Sequence, residues 1–222
     1  MNTDVTPPAG GVRREVAARR AGWAMPVARA LARADIRPNT LSAASVVFAA
    51  ASGACLAVSA GATGWRAALL LGGGVAGMQL RLLCNLFDGM VAVECGLKTK
   101  SGEVFNDLPD RLADPAILIG AGYAARAIPH GVELGWLAAL LAVLTAYVRL
   151  LGGAAGARQH FLGPMAKQHR MAVLTAAAVL AMAIPARAPW IMAAALAMVA
   201  VGCAVTIARR TVAVVRDLES RP

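Results

Sequence analysis

The sequence predicts an all-α membrane protein, with six transmembrane helices preceded by an N-terminal amphipathic interfacial helix. Three observations carry that prediction. The 222-residue chain is 59% hydrophobic and only 15% charged, with a mean hydropathy of +0.62, whereas soluble domains carry about 25% charged residues. Its apolar runs recur at roughly the 20-residue length that a bilayer-crossing helix needs. Its basic residues gather on alternate connections between those runs, the asymmetry that orients a membrane protein.

Each element has its own justification. Residues 1–11 are rich in Pro, Gly and Thr and read as a disordered tail. Over 12–34, Arg alternates with Ala, Val, Trp23, Met25 and Leu31. A solvated charged helix competes with an interfacial one here, and Arg beside Trp suits the headgroup layer, so 12–37 is assigned as an interfacial helix. It is not a secretory signal, because the basic region is long and amphipathic and the apolar run after it exceeds an h-region. Pro38 stops this helix, and Asn39 or Thr40 caps the next.

The first span is expected at 41–60, with a glycine-bounded turn at 61–64. The second starts near Trp65, runs past Leu86 and carries Gly72, Gly73, Gly74 and Gly77, which permit close helix approach. After a polar stretch at 94–107, the third span is expected at 108–127 and the fourth at 134–151, with Pro129, His130 and Gly131 turning the chain between them. A polar loop at 152–170 leads to the fifth span at 171–184, and Pro185 and Pro189 separate it from the sixth at 190–207. The spans form one unit over 38–208, followed by a charged tail over 209–222.

The formal charge of +10 would suggest nucleic acid in a soluble protein. Here aromatic residues are only 5%, which removes the stacking platform of a single-strand binder, and the arginines sit where lipid phosphates lie. Nucleic acid is therefore excluded as a partner and membrane lipids are favoured. The N-terminal arm, the 94–107 and 152–170 connections and the tail hold most of the Lys and Arg, whereas the opposite connections hold only Arg66, Arg126 and Arg187. Both termini and the polar stretch are expected on the cytoplasmic side of the cell (inner) membrane, in a multi-pass protein. Cys55, Cys84, Cys95 and Cys203 form no CxxC pair or metal-ligand spacing and read as small packing residues.

The candidate chemistry lies between Asn85 and Asp114. Asn85 and Asp88 stand at i and i+3, and Asn106, Asp110 and Asp114 at i, i+4 and i+8, each set on one face of its helix. Two such helices facing each other would converge carboxylate and amide oxygens, a donor set for Mg²⁺, Mn²⁺ or Ca²⁺. Acidic residues at membrane depth are costly and mark function. Helix-terminus stabilisation accounts for Asp107 but not for Asp88, which lies near the unfavourable C-terminal end of its span.

The spacing resembles that of the CDP-alcohol phosphotransferase family, whose signature is D-x2-D-G-x2-A-R-x8-G-x3-D-x3-D. Asp88, Gly89, Ala92, Gly102 and Asp110 fall on matching positions, with eight residues between Val93 and Gly102. The order of elements is similar too: a basic amphipathic helix, the segment Pro38-Asn39-Thr40-Leu41-Ser42 leading into the first span, then six spans. Asn85 and Asn106 stand where the signature has Asp, and Val93 where it has Arg. The resemblance implies a transferase of phospholipid biosynthesis that moves a phosphatidyl or phosphoalcohol group from a CDP-alcohol to a hydroxyl acceptor and releases CMP. It implies a Mg²⁺ or Mn²⁺ cofactor held by Asp88, Asp110, Asn85 and Asn106. Asp110 would be the base that deprotonates the acceptor, Gly89, Ala92, Gly102 and Asn39 would line the nucleotide site, and the protein would be a homodimer. The two Asn residues keep an oxygen ligand but lose charge, for which Asp107, Glu94 and Asp114 could compensate. Lys98 or Lys100 could replace the missing Arg as point charges.

A second constellation lies in the 152–170 connection and its flanks: Tyr147, Arg149, Arg158, His160, Gly163, Pro164, Lys167, His169 and Arg170. Positive-inside bias alone explains any one of these cations. As a cluster, Arg149, Arg158, Lys167 and Arg170 read as a site for a phosphate-bearing acceptor or headgroup. His160 and His169 read as structural or phosphate-contacting, since no acid stands in register with them. The alternative to an enzyme is a non-catalytic nucleotide- or lipid-binding membrane protein of the same fold, favoured by Asn85, Asn106 and Val93. A transporter ranks last, because no inverted repeat is evident.

Overall fold

The computed structural model describes residues 22–97, 101–158 and 160–220, with the side chains of Glu103 and Asn106 outside the description. The expected disordered tail at 1–11, the first half of the interfacial helix, and Lys98 and Lys100 lie outside the described residues. Among the described residues the structure is all-helical. A short helix α1 (Ala24–Arg33) precedes α2 (Pro38–Ser59), α3 (Gly64–Glu94), α4 (Gly102–Ala124), α5 (Gly131–Ala154), α6 (Lys167–Ala183) and α7 (Ala188–Glu219), with a 3₁₀ turn at Pro185–Arg187 before α7.

Among the described residues, four helical segments are long and apolar enough to cross a membrane: Pro38–Ser59, Gly64–Glu94, Gly131–Ala154 and Pro185–Glu219. The six spans expected from sequence are thus matched by four on length and composition. α6 has only 17 residues, and α4 carries its charged residues and two prolines, Pro109 and Pro115, inside the helix. The outward faces of the long helices are apolar: Val47, Leu69, Leu140, Val179, Met198 and Val201 are all exposed. A water-soluble bundle would turn such residues inward.

Several helix boundaries differ from expectation, each for a local reason. α1 ends at Arg33, and the chain turns through Asp35 at φ +54°. Pro38 therefore opens α2 rather than closing α1, its fixed φ and missing N–H fitting a first helical position. Asn39 lies in that first turn and does not cap it, since Arg37 occupies the cap position with no side-chain bond. α4 starts at Gly102, so the acidic residues from Asp107 onward are already helical. At its C-terminal end α7 runs without a break from the last apolar run through Arg209 and Arg216 to Glu219. At 1.5 Å per residue, α3 and α7 are each about 45–50 Å long, against about 30 Å of hydrocarbon. Their C-terminal turns therefore extend past the apolar layer.

Small residues set how closely the helices pack. A Cβ on Gly53 of α2 would overlap the Ala116 carbonyl of α4, and one on Gly120 would overlap the Gly53 carbonyl. Gly122 of α4 and Gly135 of α5 form a similar reciprocal pair, each 2.6–2.8 Å from where the other's Cβ would need room. Of the glycines expected to allow close approach in α3, Gly74 and Gly77 face Leu56 and Ser52 of α2 tightly, whereas Gly72 has ordinary space. The core is correspondingly rich in alanine, including Ala113, Ala121, Ala138, Ala142, Ala178 and Ala181. Without a hydrophobic driving force between helices in lipid, such close backbone approach supplies the association energy.

Pairings between neighbouring helices show which ends meet. Ser42 bonds Asp88 and Ser52 bonds the Gly74 carbonyl, so α2 and α3 are antiparallel. Lys167 reaches Asn85 while Gln79 bonds Thr175, so α3 and α6 are antiparallel as well. Arg149, late in α5, reaches Asp107, early in α4. The starts of α2, α4 and α6 and the later turns of α3 and α5 therefore gather at one end of the bundle. α1 packs there too, with Ala24 and Ala28 in a small cluster with Phe87, Met90 and Val91. Trp23 sets its ring edge-on to Phe87, with centroids 6.0 Å apart.

Candidate functional site

That end of the bundle holds a layered network of charge. The deepest layer is Arg81 of α3, with a fully buried side chain. One of its terminal nitrogens donates to Asp114 Oδ1 at 2.5 Å and to Asp110 Oδ1 at 3.0 Å. Arg170 of α6 closes on the other oxygen of Asp114, through Nη2 at 2.5 Å and Nε at 3.2 Å. Its Nη1 donates to the Met165 carbonyl at 3.1 Å and lies 3.4 Å from Thr145 Oγ1. Asp114 is thus clamped by two arginines from two other helices. Burial of these ions is tolerated because each charge is met by an opposite charge and by hydrogen bonds.

The next layer is centred on Asp110, one helical turn before Asp114. Its Oδ1 accepts from Arg81 and from Asn85 Nδ2 at 3.3 Å. Its Oδ2 accepts from Lys167 Nζ at 2.6 Å. The same ammonium donates to Asn85 Oδ1 at 2.5 Å. Lys167, the first residue of α6, therefore sits between the two polar groups that the sequence placed in one cluster. Asp88 is buried on α3, where Ser42 Oγ of α2 donates to its Oδ2 at 2.7 Å. Asp88 also lies within electrostatic reach of Lys167 and Asp110. Among the described residues, no acceptor reaches Nε or Nη1 of Arg81, and no side-chain donor reaches Asp88 Oδ1. Buried polar atoms without partners are uncommon, and here three belong to two residues of this network.

At the mouth, Asp107 pairs with Arg111 at 3.2 Å and with Arg149 at 3.1 Å, and the Arg149 guanidinium lies over the Phe161 ring at 5.4 Å. The arrangement brings Asn85, Asp88, Asp110, Lys167 and Arg170 together, with Arg149 at the rim. Gly89 is buried on α3, and Ala92 and Gly102 are half-buried. Asn39 is half-buried in the first turn of α2, three residues before Ser42. The side chain of Asn106 lies outside the described residues. Arg158 is not brought into the network: its side chain is exposed and its backbone N–H donates to Asp217 of α7. His160 lies 3.9 Å from the same Asp217, an acid far from it in sequence. His169 Nδ1 lies 2.6 Å from the Pro164 carbonyl. Neither histidine touches Asp88 or Asp110.

Two members escaped sequence reasoning. Arg81 carried a signal, since an arginine inside an apolar helix is rare and it precedes Asn85 by four residues on the same face. Ser42 carried none, because a serine in an apolar helix usually bonds its own backbone.

The donor set can be tested against the expected Mg²⁺ or Mn²⁺. Such an ion takes about six oxygen ligands and draws its affinity from anionic ones. Among the described residues, no three His, Cys, Asp or Glu side chains converge at metal-ligand geometry. Both oxygens of Asp110 already meet Arg81 and Lys167, and the Asn85 oxygen meets Lys167. The proposed compensators are committed or remote: Asp114 to Arg81 and Arg170, Asp107 to Arg111 and Arg149, while Glu94 is exposed at the end of α3. The described residues do not fit a divalent ion as they stand.

No protein-family model and no curated protein matches the sequence. Solved structures match the fold. Phosphatidylinositol phosphate synthase of Mycobacterium tuberculosis with CDP-DAG bound superposes at a TM-score of 0.72 with 20% identity, covering 87% of this chain and 94% of that one. The same synthase in complex with manganese and citrate gives 0.71 at 20% identity, covering 86% and 88%. Its apo form gives 0.70 at 20% identity, covering 89% and 100%. The chain is thus similar in fold to that synthase along nearly its whole length.

Proposed function

We propose that this chain is a membrane-embedded transferase that moves a phosphatidyl or related phosphoalcohol group from a CDP-linked alcohol to a hydroxyl acceptor, releasing CMP. One observation carries this reading. Asp110 of α4 bonds Lys167 and Asp88 of α3 lies within electrostatic reach of both, at one end of a fold shared with a synthase that binds CDP-DAG. The same reading makes α1 an interfacial helix and gives six membrane spans. It places both termini and the charged end of the bundle on the cytoplasmic side of the inner membrane, in a homodimer. The basic residues at that end support the orientation.

The chemistry follows from the contacts. A diphosphate entering the centre competes with Asp110 for the Lys167 ammonium. Lysine is a flexible point charge able to follow it. As the ammonium moves onto phosphate, Asp110 Oδ2 is uncovered to accept a proton from the acceptor hydroxyl. The acceptor oxygen forms a bond to the phosphorus that bears the alcohol. The bond from that phosphorus to the bridging oxygen breaks, and CMP leaves with the electron pair. Asn85 and Arg81 hold Asp110 in place through its other oxygen. Asp88, held by Ser42, is positioned beside the nucleotide, and Arg149 at the rim suits an acceptor phosphate.

The test is CMP release from CDP-linked lipids and alcohols, with inositol phosphate, glycerol phosphate and serine among the acceptors, with and without Mg²⁺ or Mn²⁺. Release that Asp110→Asn abolishes is the expected result. No CMP under any condition would return the chain to a binding role.

A further inference from the structure

The cation at the heart of this centre is a side chain. Lys167 Nζ lies 2.5 Å from Asn85 Oδ1 and 2.6 Å from Asp110 Oδ2. It bridges an amide oxygen on α3 and a carboxylate oxygen on α4, as a metal ion bridging two helices would. We propose that the Lys167 ammonium is the resident cation of the site, so that a diphosphate-bearing nucleotide binds here without a divalent metal.

The charge balance supports this assignment. Asp88, Asp110 and Asp114 are matched by Arg81, Lys167 and Arg170, all at or near complete burial except for the partly exposed Lys167 side chain. A dication added to this balanced set would leave its own charge uncompensated in a low-dielectric setting, a few ångströms from an ammonium. The donor chemistry agrees. Asn85 offers a neutral oxygen, Asp110 is already shared with Arg81, and Asp114 is out of play between two guanidiniums. An ammonium needs only hydrogen-bond acceptors, and Asn85 and Asp110 supply them. An incoming diphosphate provides stronger acceptors for the same proton donors, so ligand binding and release of Asp110 become one event.

The metal half of this proposal is independent of the proposed function, whereas the nucleotide half rests on it. The experiment uses the full chain purified in detergent. Mn²⁺ is titrated and the free ion is followed by electron paramagnetic resonance. Wild type is expected to show no saturable binding in the millimolar range. Lys167→Met combined with Asn85→Asp removes the ammonium and restores a carboxylate, and is expected to gain a saturable site at least about tenfold tighter. Lys167→Gln, which keeps a donor facing Asp110, provides a milder variant and is expected to gain weaker Mn²⁺ binding. Saturable Mn²⁺ binding by wild type that Asp110→Asn abolishes would overturn the proposal. So would a double variant that melts like wild type yet gains no Mn²⁺ binding. In parallel, CDP-diacylglycerol binding is measured in EDTA. Wild type is expected to bind equally with and without chelator, and Lys167→Met to bind at least about tenfold more weakly. Binding by wild type that chelator removes would also overturn the proposal. Absence of nucleotide binding together with the expected Mn²⁺ results would remove the proposed function and leave the cation assignment standing.

Discussion

Arg81 of α3 and Asp114 of α4 form a buried ion pair at 2.5 Å, and both side chains are almost entirely withdrawn from solvent. Removing one partner leaves the other charged and buried. Arg81→Met is therefore expected to destabilise the protein by about 3–5 kcal/mol. In Arg81→Met/Asp114→Leu the two losses should fall short of additive by about 1–3 kcal/mol. Thermal unfolding in detergent of the two single variants and the double variant measures the coupling; strict additivity would show that the pair does not act as a unit.

Close packing of α2 on α4 yields a second prediction. At Gly120, any side chain meets the backbone carbonyl of Gly53, which has no rotamer through which to yield. Gly120→Val should lower stability by about 1–3 kcal/mol or more. Gly72, in the same kind of sequence but with Met182 Sδ 3.8 Å away, should accept alanine with no loss. Helix propensity there favours alanine by up to about 1 kcal/mol. Melting temperatures of the two variants should move in opposite directions or, at the least, differ clearly.

The Ser42–Asp88 bond links α2 to the site. Ser42→Ala removes the donor to a buried carboxylate and should cost about 1–3 kcal/mol. In an Asp88→Asn background the same change should cost less, because the charge that needed the donor is gone. If the proposed reaction operates, CMP release should fall with Ser42→Ala while Tyr147→Phe, at an exposed position, leaves it unchanged.

Of the three arginines expected at the phosphate site, Arg170 is buried against Asp114, and the other two now separate. Arg149 lies at the rim with Asp107 and Phe161, whereas Arg158 is exposed beside Asp217. For a phosphate-bearing acceptor, Arg149→Ala should raise the acceptor KM by about tenfold, the scale of one charge-assisted contact. Arg158→Ala should leave it nearly unchanged. Equal effects from both would point to a diffuse surface field rather than a site.

Membrane orientation can be read by cysteine labelling. In a background with Cys55, Cys84, Cys95 and Cys203 replaced by serine, Thr63→Cys and Ala155→Cys place thiols at exposed positions at opposite ends of the bundle. A membrane-impermeant maleimide added to oriented vesicles should label one and spare the other. Labelling of both from the same side would remove the alternating topology.

By itself, the sequence determined the class, the helical periodicity and which polar residues share a helix face. Apolar runs at bilayer length, arginines at their ends, and Asn85, Asp88, Asp110 and Asp114 at helical spacing are all local or compositional properties. What it left open were properties of contact. The helix ends shifted where Pro38 and Gly102 started helices earlier than the apolar pattern implied. The number of helices able to cross on length and composition fell from six to four because α4 is charged and α6 short. Most of all, the pairing of the charges was decided by tertiary structure. Asp114 appeared free to bind a metal until Arg81 and Arg170 closed on it, and Lys167 appeared to be one cation in a loop until α6 carried it between Asn85 and Asp110. Spacing along one helix fixes which residues share a face. Which opposite charge that face meets depends on packing between helices far apart in sequence, and here that packing set an ammonium where the spacing alone suggested a metal.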